Sequence, residues 1–144
     1  MARVYISPEK RQSIVDRAGG RCEYCQSRAD YATETFAVEH ITPISLNGNN
    51  ELDNLALACA GCNGYKLDKI EAADPTDSTV VPLYHPRQDH WHTHFTWNDD
   101  FREIIGITAT GRATVAQLQM NRVGLINIRA VLCLIRKHPP EIAK

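Results

Sequence analysis

Cys22-Glu23-Tyr24-Cys25, then Val38-Glu39-His40-Ile41-Thr42-Pro43, then Asn54-Leu55, then Cys59-Ala60-Gly61-Cys62-Asn63 is the stretch on which the reading of this chain turns. Two Cys-x-x-Cys pairs bracket a carboxylate, an imidazole and an amide. Zinc is held by four ligands in a tetrahedron, and each Cys-x-x-Cys turn supplies two thiolates. Two such turns about 34 residues apart close a site and staple the chain between them. A disulfide framework or a redox pair would use the same cysteines. Residues 1–20 are mixed and charged, with no apolar core of a secretory signal, and an intracellular location disfavours disulfides. A structural Zn²⁺ on Cys22, Cys25, Cys59 and Cys62 is the expectation. Cys133, within Val131-Leu132-Cys133-Leu134-Ile135, reads as a small buried hydrophobe.

Working outward, Ser7-Pro8-Glu9 has the cap, the proline and the acid of a helix start, and Gly19-Gly20 ends that helix. Thr33 to Ile41 alternates and is rich in β-formers, so it predicts a strand stopped by Pro43. Asn47-Gly48-Asn49-Asn50 predicts a loop, Leu52 to Ala58 a second extended segment, and Asn63 to Ile70 a short helix. Strand, loop, strand, helix around a metal is a ββα unit. Residues 71–88 are linker-like. His92–Trp97 and Glu103–Thr108 predict a hairpin across Asn98-Asp99-Asp100. Thr110 caps a helix toward Met120, and Asn121–His138 forms a longer one closed by Pro139-Pro140. The class is α+β: residues 1–72 as a core with its N-terminal helix, 73–88 as a connecting segment, 89–144 as a hairpin and helical extension.

At 144 residues, 43% hydrophobic and 23% charged, the chain is long enough for one core and is not of disordered composition. No apolar run reaches the ~18 residues that span a bilayer. Net charge is −1, yet it is unevenly placed. Residues 101–144 carry seven Lys/Arg against two acids, while residues 31–64 carry four acids and no Lys or Arg. That asymmetry suits a basic contact face beside an acidic cleft, or it is an accident of surface composition.

Hydrolysis of a phosphodiester needs an activated water and a cation on the leaving oxygen. His40 is the natural base, because imidazole titrates near neutral pH. Glu39 and Asn63 offer hard oxygens, which suit Mg²⁺ or Mn²⁺. Neighbours on a regular strand face opposite ways, so Glu39 and His40 reach one site only if the strand twists or ends there. Taken singly, a Glu-His is most often structural and an Asn behind a knuckle most often a helix cap. The joint spacing carries the reading: 14 positions from His40 to Asn54, nine from Asn54 to Asn63, with cysteine pairs flanking both.

Over about residues 20–70 this pattern, ending in Asn63-x-x-Lys66, resembles the HNH endonucleases. The resemblance implies a ββα-metal finger that cuts DNA with one catalytic divalent ion and leaves a 5′-phosphate and a 3′-hydroxyl. It implies that His40 is the general base, that Glu39 ligates the ion where the family usually has Asp, and that Asn54 braces the loop. It further implies Asn63 as the second ligand, Lys66 near phosphate, and the four cysteines on structural zinc. DNA is preferred over RNA through this resemblance alone. One finger cuts one strand, so a monomer nicks and a homodimer can break both. The other function class is a zinc-dependent nucleic-acid-binding module with weak or no catalysis.

Two further groups remain. Arg122, Arg129 and Arg136 recur every seven residues, so on one helix they form a line about 10 Å apart, a phosphate rail or a solvated stripe. His90, His92 and His94 would line one strand face near His85, for a second metal, for phosphate, or packed on Trp91, Phe95 and Trp97.

Overall fold

The computed structural model describes residues 5–141. Helix α1 (Pro8–Ala18) starts where the sequence predicts: Ser7 Oγ accepts the Lys10 N–H, and Gly19 closes the helix at φ 65°. The finger follows. Strands β1 (Ala37–His40) and β2 (Leu55–Ala58) pair antiparallel, Ala37 opposite Ala58 and His40 opposite Leu55. Helix α2 (Ala60–Lys66) completes the ββα unit. β1 is shorter than Thr33–Ile41 because β2 offers only four residues before Cys59 turns into its knuckle. Arg17 ties α1 to this hairpin by donating to the Leu52 and Leu55 carbonyls at 2.9 and 2.6 Å.

The segment expected to be linker-like is a hairpin: β3 (Glu71–Ala73) pairs with β4 (Val80–Pro82). Buried Asp74 sits at its turn and accepts from Arg112. Of the residues that suggest a linker, Asp74-Pro75-Thr76-Asp77 forms the turn while Pro82 ends β4, and pairing of the two short flanks is a tertiary outcome.

The C-terminal hairpin forms as β5 (Phe95–Trp97) against β6 (Ile104–Gly106). It is preceded by a single helical turn, α3 (Trp91–His94), so His90, His92 and His94 share no strand face. Trp91 drives this departure: its ring is buried against Phe95 and Trp97, and its Nε1 donates to the Tyr24 carbonyl at 2.8 Å. Helix α4 (Ala109–Gln117) is capped by Thr108, not Thr110, through its Oγ1 on the Gly111 N–H. A Cβ at Gly106 or Gly111 would collide with backbone, Arg112 N in one case and the His94 carbonyl in the other, so the glycines let α4 lie on β6.

Helix α5 (Val123–Leu134) ends four residues earlier than expected. Arg136 lies beyond it at φ 59°. Cys133 is half-buried rather than enclosed. The core runs continuously from Ile14 and the finger (Leu55, Leu57, Phe36) through Tyr84 and Phe95 to Leu118, Met120 and Leu125. Among the described residues, no helix is long and apolar enough to cross a membrane.

Candidate active site and metal centre

The four knuckle cysteines converge as the spacing predicts. Their Sγ atoms lie within 4.8 Å of one another, and all four residues are buried. Cys25 and Cys59, from opposite knuckles, stand 3.6 Å apart. With Zn–S bonds of about 2.3 Å, tetrahedral sulfurs sit just under 4 Å apart, so the cage has the size and donor type for zinc. The knuckles form because each first cysteine receives a backbone N–H from the second: Cys25 N to Cys22 Sγ at 3.5 Å, Cys62 N to Cys59 Sγ at 3.4 Å. Ser27 Oγ lies 2.9 Å from Cys25 Sγ. Burial pushes the Cys22 thiol up, while hydrogen bonds from the other three cysteines hold Cys59 far below the ordinary thiol range. A cluster in which some sulfurs readily lose their protons is what a metal cation requires.

His40 ends β1 half-buried, with Nε2 at 3.0 Å from Asn50 Oδ1. Asn50 Nδ2 donates to the Tyr5 carbonyl, so its oxygen is the atom that faces the imidazole. The tautomer that fits this contact has its proton on Nε2 and a lone pair on Nδ1. Asn54 is buried and closes the loop between the strands. Its Oδ1 accepts from Thr42 N at 2.8 Å, and its Nδ2 donates to the carbonyls of Thr42 and Asn49 at 3.0 and 2.8 Å.

Glu39 points away from His40, into the finger, and is 4% exposed. Oε2 accepts from the Tyr24 hydroxyl at 2.6 Å, and Oε1 faces the Lys66 ammonium at 2.6 Å. Burial raises the Glu39 pKa, and Lys66 opposes that rise without cancelling it. Burial and the adjacent Glu39 charge likewise raise Tyr24. Asn63 stands exposed on α2, three residues before Lys66 and so on the same helix face. Glu39 and Asn63 supply oxygen donors of the kind Mg²⁺ or Mn²⁺ takes, and Glu39 Oε1 already faces a cation. Glu39 is sealed inside the finger, Asn63 is exposed on α2 and His40 faces the other way, and among the described residues no hydrogen bond joins any two of the three.

The expected basic contacts are placed otherwise. Lys66 is 1% exposed and also donates to the Ile41 carbonyl, so it does not reach out to phosphate. The arginine rail does not form. Arg129 is buried and donates to the carbonyls of Arg102 and Met120. Arg122 turns onto Cys59 Sγ at 3.3 Å and Cys62 Sγ at 3.8 Å. Of the three, Arg136 is exposed, outside the helix. Arg129 alone lies within α5, on its packed face, while Arg122 caps the helix and Arg136 follows it, and the spacing reveals neither the helix ends nor the face that packs. His94 is held by Thr108 Oγ1 at 2.6 Å, and His85 Nδ1 accepts from the backbone of Arg87 and Gln88. Among the described residues the cysteines alone cluster as metal ligands.

Sequence reasoning missed Tyr24 and Asn50, which hold Glu39 and His40. Tyr24 lies inside the first knuckle and Asn50 in an asparagine-rich loop; neither position announces its partner.

Residues 22–69 match the model of the HNH family, described as HNH endonuclease. A Septu protein PtuB from Bacillus thuringiensis is 26% identical over 123 residues, which cover 83% of this chain and 44% of that protein. This chain thus spans less than half the length of that relative. No solved structure matches significantly. The matched stretch begins at the first knuckle and closes just after α2, so the cysteine cage and the ββα order both fall within the segment that is similar to the HNH endonucleases.

Proposed function

We propose that this protein is an endonuclease that hydrolyses phosphodiester bonds in DNA, with His40 as the general base. The observation that carries this reading is the contact of His40 Nε2 with Asn50 Oδ1 at 3.0 Å: with the amide oxygen there the ring donates from Nε2, which leaves Nδ1 to accept a proton from water. Asn54 holds the loop beyond His40 by three hydrogen bonds, so the imidazole does not drift with it. A bound Mg²⁺ or Mn²⁺ would place positive charge on the leaving oxygen; the HNH resemblance gives Glu39 and Asn63 as its ligands, and Glu39 would have to leave Lys66 and Tyr24 to serve a site beside His40. Zinc on the four cysteines has a structural role, since four sulfurs leave no open position for substrate. The similarity of residues 22–69 to the HNH endonucleases supports a nucleic acid as partner.

A second reading is a zinc-dependent nucleic-acid-binding module with little or no catalysis. One observation favours it: both Glu39 oxygens are already engaged, by Tyr24 and Lys66. Cleavage of supercoiled plasmid with Mg²⁺ or Mn²⁺, wild type beside zinc-loaded His40→Ala, separates the two. Nicking by wild type that vanishes in the variant is the expected result. Intact plasmid that nonetheless shifts on a gel with folded wild type establishes the module instead.

A further inference from the structure

Arg122 lies outside the segment that matches the HNH family, yet its guanidinium rests on the cysteine cage. One terminal nitrogen is 3.3 Å from Cys59 Sγ, the other 3.8 Å from Cys62 Sγ. The second nitrogen also donates to the Gln119 carbonyl at 3.1 Å, and the guanidinium sits over the Tyr65 ring, 5.8 Å from its centroid. Charge arithmetic gives the contact its meaning. Four thiolates around one Zn²⁺ carry a net −2 in a buried site, and a guanidinium removes half of that. The donors are also unevenly shared. Cys22 and Cys59 each have a knuckle N–H, and Cys25 has Ser27. Among the described residues, Cys62 Sγ has Arg122 as its one donor apart from the cysteines. The finger leaves room for this cation: a Cβ on Gly61 would stand 2.3 Å from the guanidinium.

We propose that Arg122 completes the zinc centre, stabilising the thiolates from outside the finger and fastening the start of α5 to it. Arg122 is a positioning residue here, acting through the sulfurs rather than on any substrate. This role does not depend on nuclease activity. Linkage makes it reciprocal: if Arg122 strengthens zinc binding, zinc must equally strengthen the seating of the chain around Arg122.

The test is zinc release from the full chain to a colorimetric chelator, together with hydrogen exchange over residues 118–128. Partners of this kind are worth about 10–100-fold in metal affinity, so Arg122→Met should release zinc at least about tenfold faster. Exchange at the first turn of α5 should rise in the same variant. Arg122→Lys, which keeps the charge, should recover part of the retention. Gly61→Ala leaves the arginine in place but pushes it off the sulfurs, so it should also speed release, and it serves if Arg122→Met fails to fold. Release and exchange equal to wild type in zinc-loaded Arg122→Met or Gly61→Ala would overturn the role of Arg122 alone. A folded wild type that binds no zinc would overturn it together with the zinc reading.

Discussion

Lys66 and Glu39 form an ion pair sealed inside the finger, ammonium to Oε1 at 2.6 Å, with the two side chains 1% and 4% exposed. It joins the last turn of α2 to β1, and Tyr24 from the first knuckle closes it on the other side. Removing one partner of a buried pair leaves the other charge without compensation. Lys66→Met should therefore cost about 3–5 kcal/mol in urea unfolding of the zinc-loaded protein. Replacing both residues by apolar ones of similar volume should recover most of that loss. A Lys66→Met protein as stable as wild type would mean that the pair is exposed in solution.

The same pair fixes a pH dependence. Burial raises the folded-state pKa of Glu39 above its unfolded value. The folded state thus binds that proton more tightly, and the associated stability is present below the unfolded pKa and lost as pH rises through the folded one. In Lys66→Met the desolvation is unopposed, so the pKa rises further. The stability deficit of this variant should shrink as pH falls below neutral and Glu39 takes up its proton. Paired unfolding curves across that range check the sign.

Asp74 titrates in the opposite sense. Its hydrogen bonds with Arg112 hold its carboxyl well below the usual range, helped by the Thr76 N–H. Stability from this contact is present above the unfolded carboxylate pKa and lost as pH falls through the folded one. Asp74→Asn should lower the melting temperature at neutral pH and flatten the acid limb of the stability curve, because the β3–β4 turn then loses its tie to α4. Identical acid limbs for the two proteins would place the acid sensitivity elsewhere.

Metal analysis should find about one zinc per chain. Chelation should unfold the finger, since the four sulfurs connect both knuckles across the core and nothing covalent replaces them. Loss of far-UV helicity on chelator addition, restored by zinc, is the expected course.

Asn54→Ala removes three hydrogen bonds that close the loop after His40. The cost should be about 2–4 kcal/mol. Nicking should fall with zinc content unchanged, because His40 itself is intact but no longer held. Asn50→Ala, which frees the imidazole tautomer, should lower the rate with a smaller effect on stability. Full nicking activity in Asn50→Ala would remove the tautomer argument.

Local chemistry made a large part of this protein legible from its sequence. Ser7, Pro8 and Gly19 set the ends of α1 because capping depends on the few residues beside the helix end. The cysteine pairs named their own site because a Cys-x-x-Cys turn is self-contained. Asn54 was expected as a brace only through the HNH resemblance, and its side chain bonds backbone five and 12 residues away. Segment 22–69 could be read because its chemistry is concentrated in one short stretch.

What lay beyond was decided by packing between distant segments. Trp91 turned a histidine-rich strand into a helical turn because its ring had a place against Phe95, Trp97 and the Tyr24 carbonyl. Three arginines with one spacing met three environments, a cysteine cage, a buried carbonyl cluster and solvent, because Arg129 alone lies within α5 while Arg122 caps its start and Arg136 follows its end. Glu39 and His40 are neighbours in sequence, and strand alternation sends one inward to Lys66 and the other outward to Asn50. The sequence by itself determined which donors this protein owns and where its helices and knuckles begin. Tertiary structure alone decided which of those donors face each other, because partners 15 to 67 residues apart are set by how the whole core closes.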